Sequence, residues 1–366
     1  MPTRRVRAAA RDGTGTGMMT DEQQLPTILE RYGLQRAEIH PIHVGNINRS
    51  FLITAPDSRR FVLQRVNPMF SPSIHEDIEA VTRHLDAKGM LTPHLEATTG
   101  GELFVMEAGT CWRLLTHVPG ATFDTVTDES TAFEAGRLLA GFHTALLDLD
   151  YEFKNIRPPT HDTARHMRNL RAALAGHRDH PRRAGVLPLA GEILELWESL
   201  PGLPAVKERK VHGDPKINNI VFEEPTGRAL CMVDFDTLGS MALFLELGDA
   251  FRSWCNPAGE DSREAMFSLS LFQAAVRGYA GKAAGFILEE EWRAILPATY
   301  RIYIELASRF CADVLNDSFF NWDPRRFGNR AEHNEIRARS QLQAARSLMD
   351  QYERAEKIIE RAFGEE

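Results

Sequence analysis

The sequence predicts a two-lobed α+β protein, with a small β-rich N-terminal lobe and a larger helical C-terminal lobe. Three observations predict it. Short alternating or apolar runs bounded by turn residues fill the stretch from about 39 to 117. Val118-Pro119-Gly120 then breaks the pattern. Beyond it the apolar spacing is helical nearly to the end, apart from one pair of β-type runs between Val211 and Asp236. The expected division is a disordered tail over 1–19, an N-terminal lobe over 20–118 and a C-terminal lobe over 119–366.

The elements follow in order. The first seventeen residues are rich in Arg, Gly and Thr and lack the apolar stretch of a secretory signal, so they read as a tail. Asp21 to about Tyr32 suits an amphipathic helix with Leu25, Ile28 and Leu29 on one face and Gly33 as its stop. Strands are expected over Ile39–Val44, Asn48–Thr54 and Phe61–Val66, the last after an Ala-Pro-Asp-Ser turn. A helix over Ser73–Lys88 precedes strand candidates at His94–Thr98, Leu103–Glu107 and Trp112–His117. Helices are expected over Asp128–Leu147 and Leu187–Leu200. Short strands follow at Asn219–Glu223 and Ala229–Val233, joined by a Pro-Thr-Gly turn, and Asn334–Phe363 reads as one final helical segment.

Composition excludes several classes. The 366 residues can bury substantial cores, and 43% hydrophobic with 26% charged residues is ordinary for a soluble globular chain. No apolar run approaches the length of a membrane span. The 43 basic and 51 acidic residues give a net charge of −8, which argues against binding nucleic acid through phosphate neutralisation and suits a cytoplasmic protein. Four scattered cysteines with no CxxC pair form neither a disulfide framework nor a zinc site.

The strongest signal is Val211-His212-Gly213-Asp214-Pro215-Lys216-Ile217-Asn218-Asn219, which enters an apolar run. A second apolar run, Leu230–Val233, ends in Asp234-Phe235-Asp236. Phosphoryl transfer needs a carboxylate to orient the acceptor hydroxyl and take its proton, and oxygen ligands for the metal bridging the phosphates. Asp214 suits the first role; Asn219 and Asp234 suit the second, since magnesium takes oxygen donors and few carboxylates. A hairpin between the two runs would bring Asn219 and Asp234 together at one end. His212 reads as a scaffold residue that fixes the loop around Asp214 rather than a proton carrier.

His212-Gly213-Asp214 with Asn219 and Asp234 resembles the aminoglycoside phosphotransferase superfamily, a branch of the protein-kinase-like fold. The wider run of Asp234-Phe235-Asp236-Thr237, Gly239-Ser240 and Gly248-Asp249-Ala250-Phe251-Arg252 resembles the N-acetylhexosamine 1-kinases within it. Gly45–Phe51, Val62-Leu63-Gln64 and Trp112-Arg113 fit the same branch. The resemblance implies Asp214 as base, Asn219 and Asp234 as Mg2+ ligands, ATP as donor, and a small hydroxylated acceptor, a sugar, as partner. It also implies that the lobe junction, Leu114–Val118 with Thr116 and His117, pairs with the adenine edge.

The sequence departs from the kinase pattern in two places. No GxGxxG loop is present; Gly45 and Asn46 occupy the corresponding turn, which reads equally as an ordinary hairpin. The phosphate-binding lysine of the third strand is missing as well. Gln64 stands in its phase, and Arg65 points the other way unless a bulge rotates it, so the phosphate partner is left as Gln64 or Arg65. Glu76 and Glu79 on the next helix either orient that contact or are solvated. Asp236 is placed to assist the metal or to accept a hydrogen bond from substrate. Asp249 and Arg252, three apart, pair with each other. Tyr303 and Arg309 lie on a helix with Tyr300, Arg301 and Glu305 and are the candidate acceptor contacts. An aminoglycoside acceptor would need a carboxylate cluster, for which Glu260, Asp261 and Glu264 are candidates.

Overall fold

The computed structural model describes residues 20–42 and 48–364. The tail and the turn residues Gly45 and Asn46 lie outside the described residues, as does the end of the first expected strand.

The chain opens with α1 (Asp21–Arg31), then β1 (Glu38–Ile42), β2 (Arg49–Thr54), β3 (Arg60–Val66) and α2 (Ile74–Ala87). The short β4 (Leu95–Glu96) and β5 (Val105–Glu107) precede β6 (Thr110–Thr116). All pairings are antiparallel in the order β1-β2-β3-β6-β4, with β5 also on β6. The two runs flanking Gly100-Gly101 therefore do not pair with each other, because each extends β6 at a different point. Thr20 and Gln23 close a reciprocal capping box on α1. One face of the sheet, with Phe51, Ile53, Phe61, Leu63, Trp112 and Leu114, packs on Leu25, Ile28 and Leu29 of α1. The pleat then turns Ser50, Gln64 and Arg113 to the opposite face, in register across β2, β3 and β6.

The helical region holds α3 (Glu129–Leu146), α4 (Thr163–Gly176) and α5 (Arg183–Ser199). The strands β7 (Arg209–Val211), β8 (Ile220–Phe222), β9 (Ala229–Met232) and β10 (Gly239–Met241) come next. They are followed by α6 (Leu243–Trp254), α7 (Leu269–Ala283), α8 (Glu289–Arg293), α9 (Ile295–Asn316), α10 (Arg330–Met349) and α11 (Tyr352–Phe363). The expected single terminal helix is thus two helices, broken at Asp350 and Gln351, so that Ile359 of α11 reaches the core around α7. β8 pairs with β9, and β7 with β10, both antiparallel. Ile74, Ile78, Val81 and Leu85 of α2 join the core of the helical region rather than that under the sheet. Gly248 lets α6 lie close on α9, since a Cβ there would sit 2.9 Å from Thr299 N. This is a protein-kinase-like fold, a β-sheet N-terminal region followed by a helical C-terminal region. No helix among the described residues is long and apolar enough to cross a membrane.

Candidate active site

The loop after β7 is held by a carboxylate the sequence reading missed. Glu246 of α6, fully buried, accepts from His212 N at 3.0 Å and from Gly213 N at 2.9 Å. Gly213 has φ +84°, and a Cβ on it would meet Thr237 O at 2.1 Å, so only glycine fits where the loop passes the turn before β10. His212 Nε2 lies 2.9 Å from Val233 O. A carbonyl only accepts, so Nε2 carries the proton. Burial lowers the His212 pKa and keeps the ring neutral. His212 thereby links the Asp214 loop to the backbone just past β9, one residue before Asp234.

Asn219 Nδ2 donates to Asp214 O at 2.9 Å and to Asp214 Oδ2 at 3.2 Å. Lys216 Nζ stands 2.7 Å from Asp214 Oδ2. Burial alone would raise the Asp214 carboxyl; the Lys216 ammonium outweighs it and holds the group below the ordinary aspartate value. Asp214 still keeps 23% of its side chain exposed, enough for an acceptor hydroxyl to reach. Lys216 had a legible signal, a cation two residues past the base, but no role was read from it.

Val233 N donates to Asn219 O at 2.9 Å, which sets Asp234 beside Asn219 at the end of β9. Asp234 adopts φ +65°, the left-handed region that costs a non-glycine residue. Among the described residues its carboxylate makes no hydrogen bond or ion pair. Burial, then the negative charge of Asp236, pushes its pKa up to about 6. A half-buried carboxylate with no hydrogen-bond partner, beside an amide whose nitrogen is turned to Asp214 and whose oxygen is left over, is a donor set of the hard-oxygen kind that suits a divalent ion. The residues therefore fit the metal.

Other expected contacts are placed differently. Asp236 is tied to the N-terminal region on both oxygens: Arg113 Nη1 donates to Oδ1 at 2.5 Å and Asn48 Nδ2 to Oδ2 at 2.6 Å. Both oxygens are thus engaged by the N-terminal region, and the carboxylate clasps the sheet to the segment that follows Asp234. Gln64 faces the cleft as its phase predicts, but its Oε1 accepts from Arg113 Nε and Nη2 at 2.9 and 2.7 Å, and its amide donates to Ser50. Arg65 points to the other face, where Nη1 meets Asp21 Oδ1 at 2.7 Å; it is a structural ion pair with α1. At the lobe junction, Thr116 N donates to His94 O and His117 N to Arg60 O, so neither amide is open to a base edge. Glu76 pairs with Lys154, and Glu79 with Arg83. The working carboxylate of α2 is the fully buried Asp77, which accepts from Tyr151 Oη and from Lys154 N and Asn155 N.

A second polar cluster adjoins the base. Arg252 Nε donates to Asp249 Oδ1 at 2.8 Å, as the spacing predicts, and Nη1 donates to Glu260. The Arg252 charge also reaches Asp214. His161 Nδ1 lies 3.0 Å from Glu305 Oε1, and its Nε2 lies 4.0 Å from Asp249 Oδ2. Burial opposes the charged imidazole, but Glu305 outweighs it and raises the His161 pKa. Tyr303 is a core residue whose hydroxyl donates to Arg252 O at 3.2 Å, so it is not an acceptor contact. Arg309 alone between Ile302 and Leu315 is not buried, and its guanidinium lies over the Phe319 and Phe320 rings. Asp261 is taken by Arg337 and His333, and Glu264 is exposed.

A carboxylate held ionised next to an oxygen donor pair on a hairpin is the arrangement that phosphoryl transfer to a hydroxyl calls for. Residues 38–282 match the phosphotransferase enzyme family, more than half of the chain, and the chain belongs to that family. ATP and a divalent metal are its cofactors.

Solved structures agree in fold. The amicoumacin kinase hAmiN, in complex with AMP-PNP, Ca2+ and Ami, is 15% identical with a TM-score of 0.62, over 89% of this chain and 94% of that one. An aminoglycoside phosphotransferase from Alicyclobacillus acidocaldarius is 16% identical with a TM-score of 0.59, over 94% and 100%. A microcompartment-associated aminopropanol kinase is 15% identical with a TM-score of 0.59, over 92% and 99%.

Proposed function

We propose that this phosphotransferase moves the γ-phosphate of ATP, with Mg2+, to a hydroxyl of a neutral sugar, an N-acetylhexosamine at its anomeric position. Asp214 orients the acceptor hydroxyl and takes its proton; Lys216 keeps Asp214 ionised until it does. Asn219 and Asp234 would hold the metal, which when bound neutralises the charge on the phosphates. Glu246 and His212 fix the loop so that base and donor pair keep their relative position.

One observation carries the neutral acceptor. Every carboxylate expected to attract a polycation is spent or exposed: Glu260 on Arg252, Asp261 on Arg337 and His333, while Glu264 faces solvent. Asp249 and Glu305 are likewise matched, by Arg252 and by His161 with Thr163. Such a balanced set of fixed donors and acceptors suits hydroxyls. Arg309, the one unburied residue of its stretch of α9, is the proposed acceptor contact from that helix. The likeness of Asp234–Thr237 and Gly248–Arg252 to the N-acetylhexosamine 1-kinases supports the same choice.

An ADP-release assay across N-acetylhexosamines, plain hexoses, amino alcohols and aminoglycosides tests it. Turnover is expected to be fastest with an N-acetylhexosamine and to vanish when the anomeric hydroxyl is methylated. Preferred turnover of an aminoglycoside or an amino alcohol would overturn the sugar assignment.

A further inference from the structure

At Gln64 and Arg65, the positions in and next to the phase of the missing lysine, the third strand offers the nucleotide no free cation, yet the cleft holds one elsewhere. Arg65 is paired with Asp21, and Arg113 is saturated by Asp236 and Gln64. Lys216 is paired with Asp214, and Arg252 with Asp249 and Glu260. Arg157 differs from all four. It lies in the connection from α3 to α4, and among the described residues it makes no hydrogen bond and no ion pair.

Its placement is not that of a loose surface arginine. Three residues upstream the backbone is pinned to α2, because Lys154 N and Asn155 N donate to the two oxygens of buried Asp77 at 2.8 and 2.9 Å. Tyr151 Oη donates to the same carboxylate at 2.8 Å. The Arg157 guanidinium then lies over the Phe70 ring, 5.8 Å from its centroid, which docks it at the boundary of the two regions. Its Nε is buried and has no acceptor. The carboxylates whose charge reaches it are Asp236, Asp214 and Asp77, so it lies within electrostatic reach of the Asp214 cleft. A desolvated donor left without an acceptor, in a site built for phosphate, calls for an anion there. The guanidinium fork matches phosphate oxygens in geometry and charge.

We propose that Arg157 is a catalytic residue that binds the terminal phosphoryl group of the donor nucleotide, supplying from the helical region the phosphate-directed cation that the third strand lacks. The inference rests on the phosphotransferase class and not on the identity of the acceptor. In the transfer, the acceptor oxygen forms a bond to the γ-phosphorus while its proton passes to the Asp214 carboxylate. The bond from the γ-phosphorus to the bridging oxygen breaks, and its electron pair leaves with ADP. Arg157 exchanges no proton; its charge stays on the phosphoryl oxygens throughout.

The test is nucleotide binding by the full chain and by its R157Q and R157K variants, with Mg2+ and either AMP-PNP or ADP as probes. R157Q is expected to bind AMP-PNP about tenfold more weakly while its ADP affinity stays within about twofold of the parent, and R157K to recover part of the loss. Single-turnover ATP consumption by R157Q should fall by about a hundredfold or more, as for other cations acting on a transferring phosphoryl group. Equal weakening of both nucleotides, or no weakening of either, overturns the proposal, because only contact with the γ-phosphate separates the two probes. Unchanged nucleotide binding with a raised KM for the acceptor likewise overturns it, by assigning the cation to the acceptor. Binding of both probes by the parent is the control that separates failure here from failure of the phosphotransferase assignment. Should R157Q not fold, the AMP-PNP to ADP ratio of R157K decides in the same way.

Discussion

Replacing Glu246 by alanine removes the one carboxylate that accepts both amides of the base-bearing loop. A hydrogen bond to a charged group contributes about 1.5–3 kcal/mol, and each buried amide left unmade costs about 1–3 kcal/mol. Relief of the buried charge offsets part of this, since Glu246 is fully buried with His143 Nε2 at 3.7 Å as its nearest cation-capable neighbour. The expected net loss is about 3–4 kcal/mol, a large share of a typical stability of about 5–15 kcal/mol. E246Q keeps one acceptor oxygen and should lose about half as much. Trp254 Nε1 donates to Pro215 O at 2.9 Å, so indole fluorescence during urea unfolding reports on the same loop. Activity should fall with stability, because Asp214 is no longer held. An E246A protein that unfolds within about 1 kcal/mol of the parent and keeps its kcat would refute the reasoning.

Three further predictions follow from local geometry. G213A should lose more stability than an ordinary surface change, about 2 kcal/mol or more, and most of its turnover, because φ +84° and the 2.1 Å approach to Thr237 O both exclude a Cβ; urea midpoints and kcat check this. R65M should lower stability by breaking the pair with Asp21 while leaving KM for ATP unchanged, and a raised KM would return Arg65 to the phosphate site. The Asp261 pKa is lowered to about 2: burial opposes, but His333 and Arg337 prevail. A carboxyl depressed on folding adds stability above its unfolded value near 4 and loses it as pH falls toward 2, so D261N should be less stable by about 1–2 kcal/mol at pH 7 and pH 5, after discounting for solvent screening. Denaturation at pH 3 should show that gap narrowing; a gap independent of pH would remove the ion-pair account.

What the sequence reveals is uneven for physical reasons. The strands and helices were legible where one face is apolar, as with Phe61, Leu63 and their polar neighbours, or Leu139 and Phe142 on α3. Asp214, Asn219 and Asp234 stood out because the chemistry proposed for them constrains residue type and spacing together, and the structure does bring Asn219 against Asp214. Gln64 was in the right phase, but its partner was not foreseeable, since Arg113 reaches it from a neighbouring strand 49 positions later. Glu246 carried a weak signal, a lone acid in the apolar run Met241–Leu247, but its partners are backbone amides that leave no mark on sequence. Tyr303 looked like a polar contact on an apolar helix; only the fold shows that its hydroxyl is used inside the core. Arg157 and His161 sit in an irregular connection with no period, so nothing local distinguished them.

The central claim is that Asn219 and Asp234 hold one divalent ion within reach of the base Asp214. Titrating Mn2+ into the protein with AMP-PNP, followed by electron paramagnetic resonance, reads that ion directly. D234N and N219A are expected to weaken Mn2+ binding by at least about tenfold, while D214A binds it nearly as well as the parent yet transfers no phosphate. Full Mn2+ affinity in D234N, or phosphate transfer by D214A at the parent rate, would contradict the account.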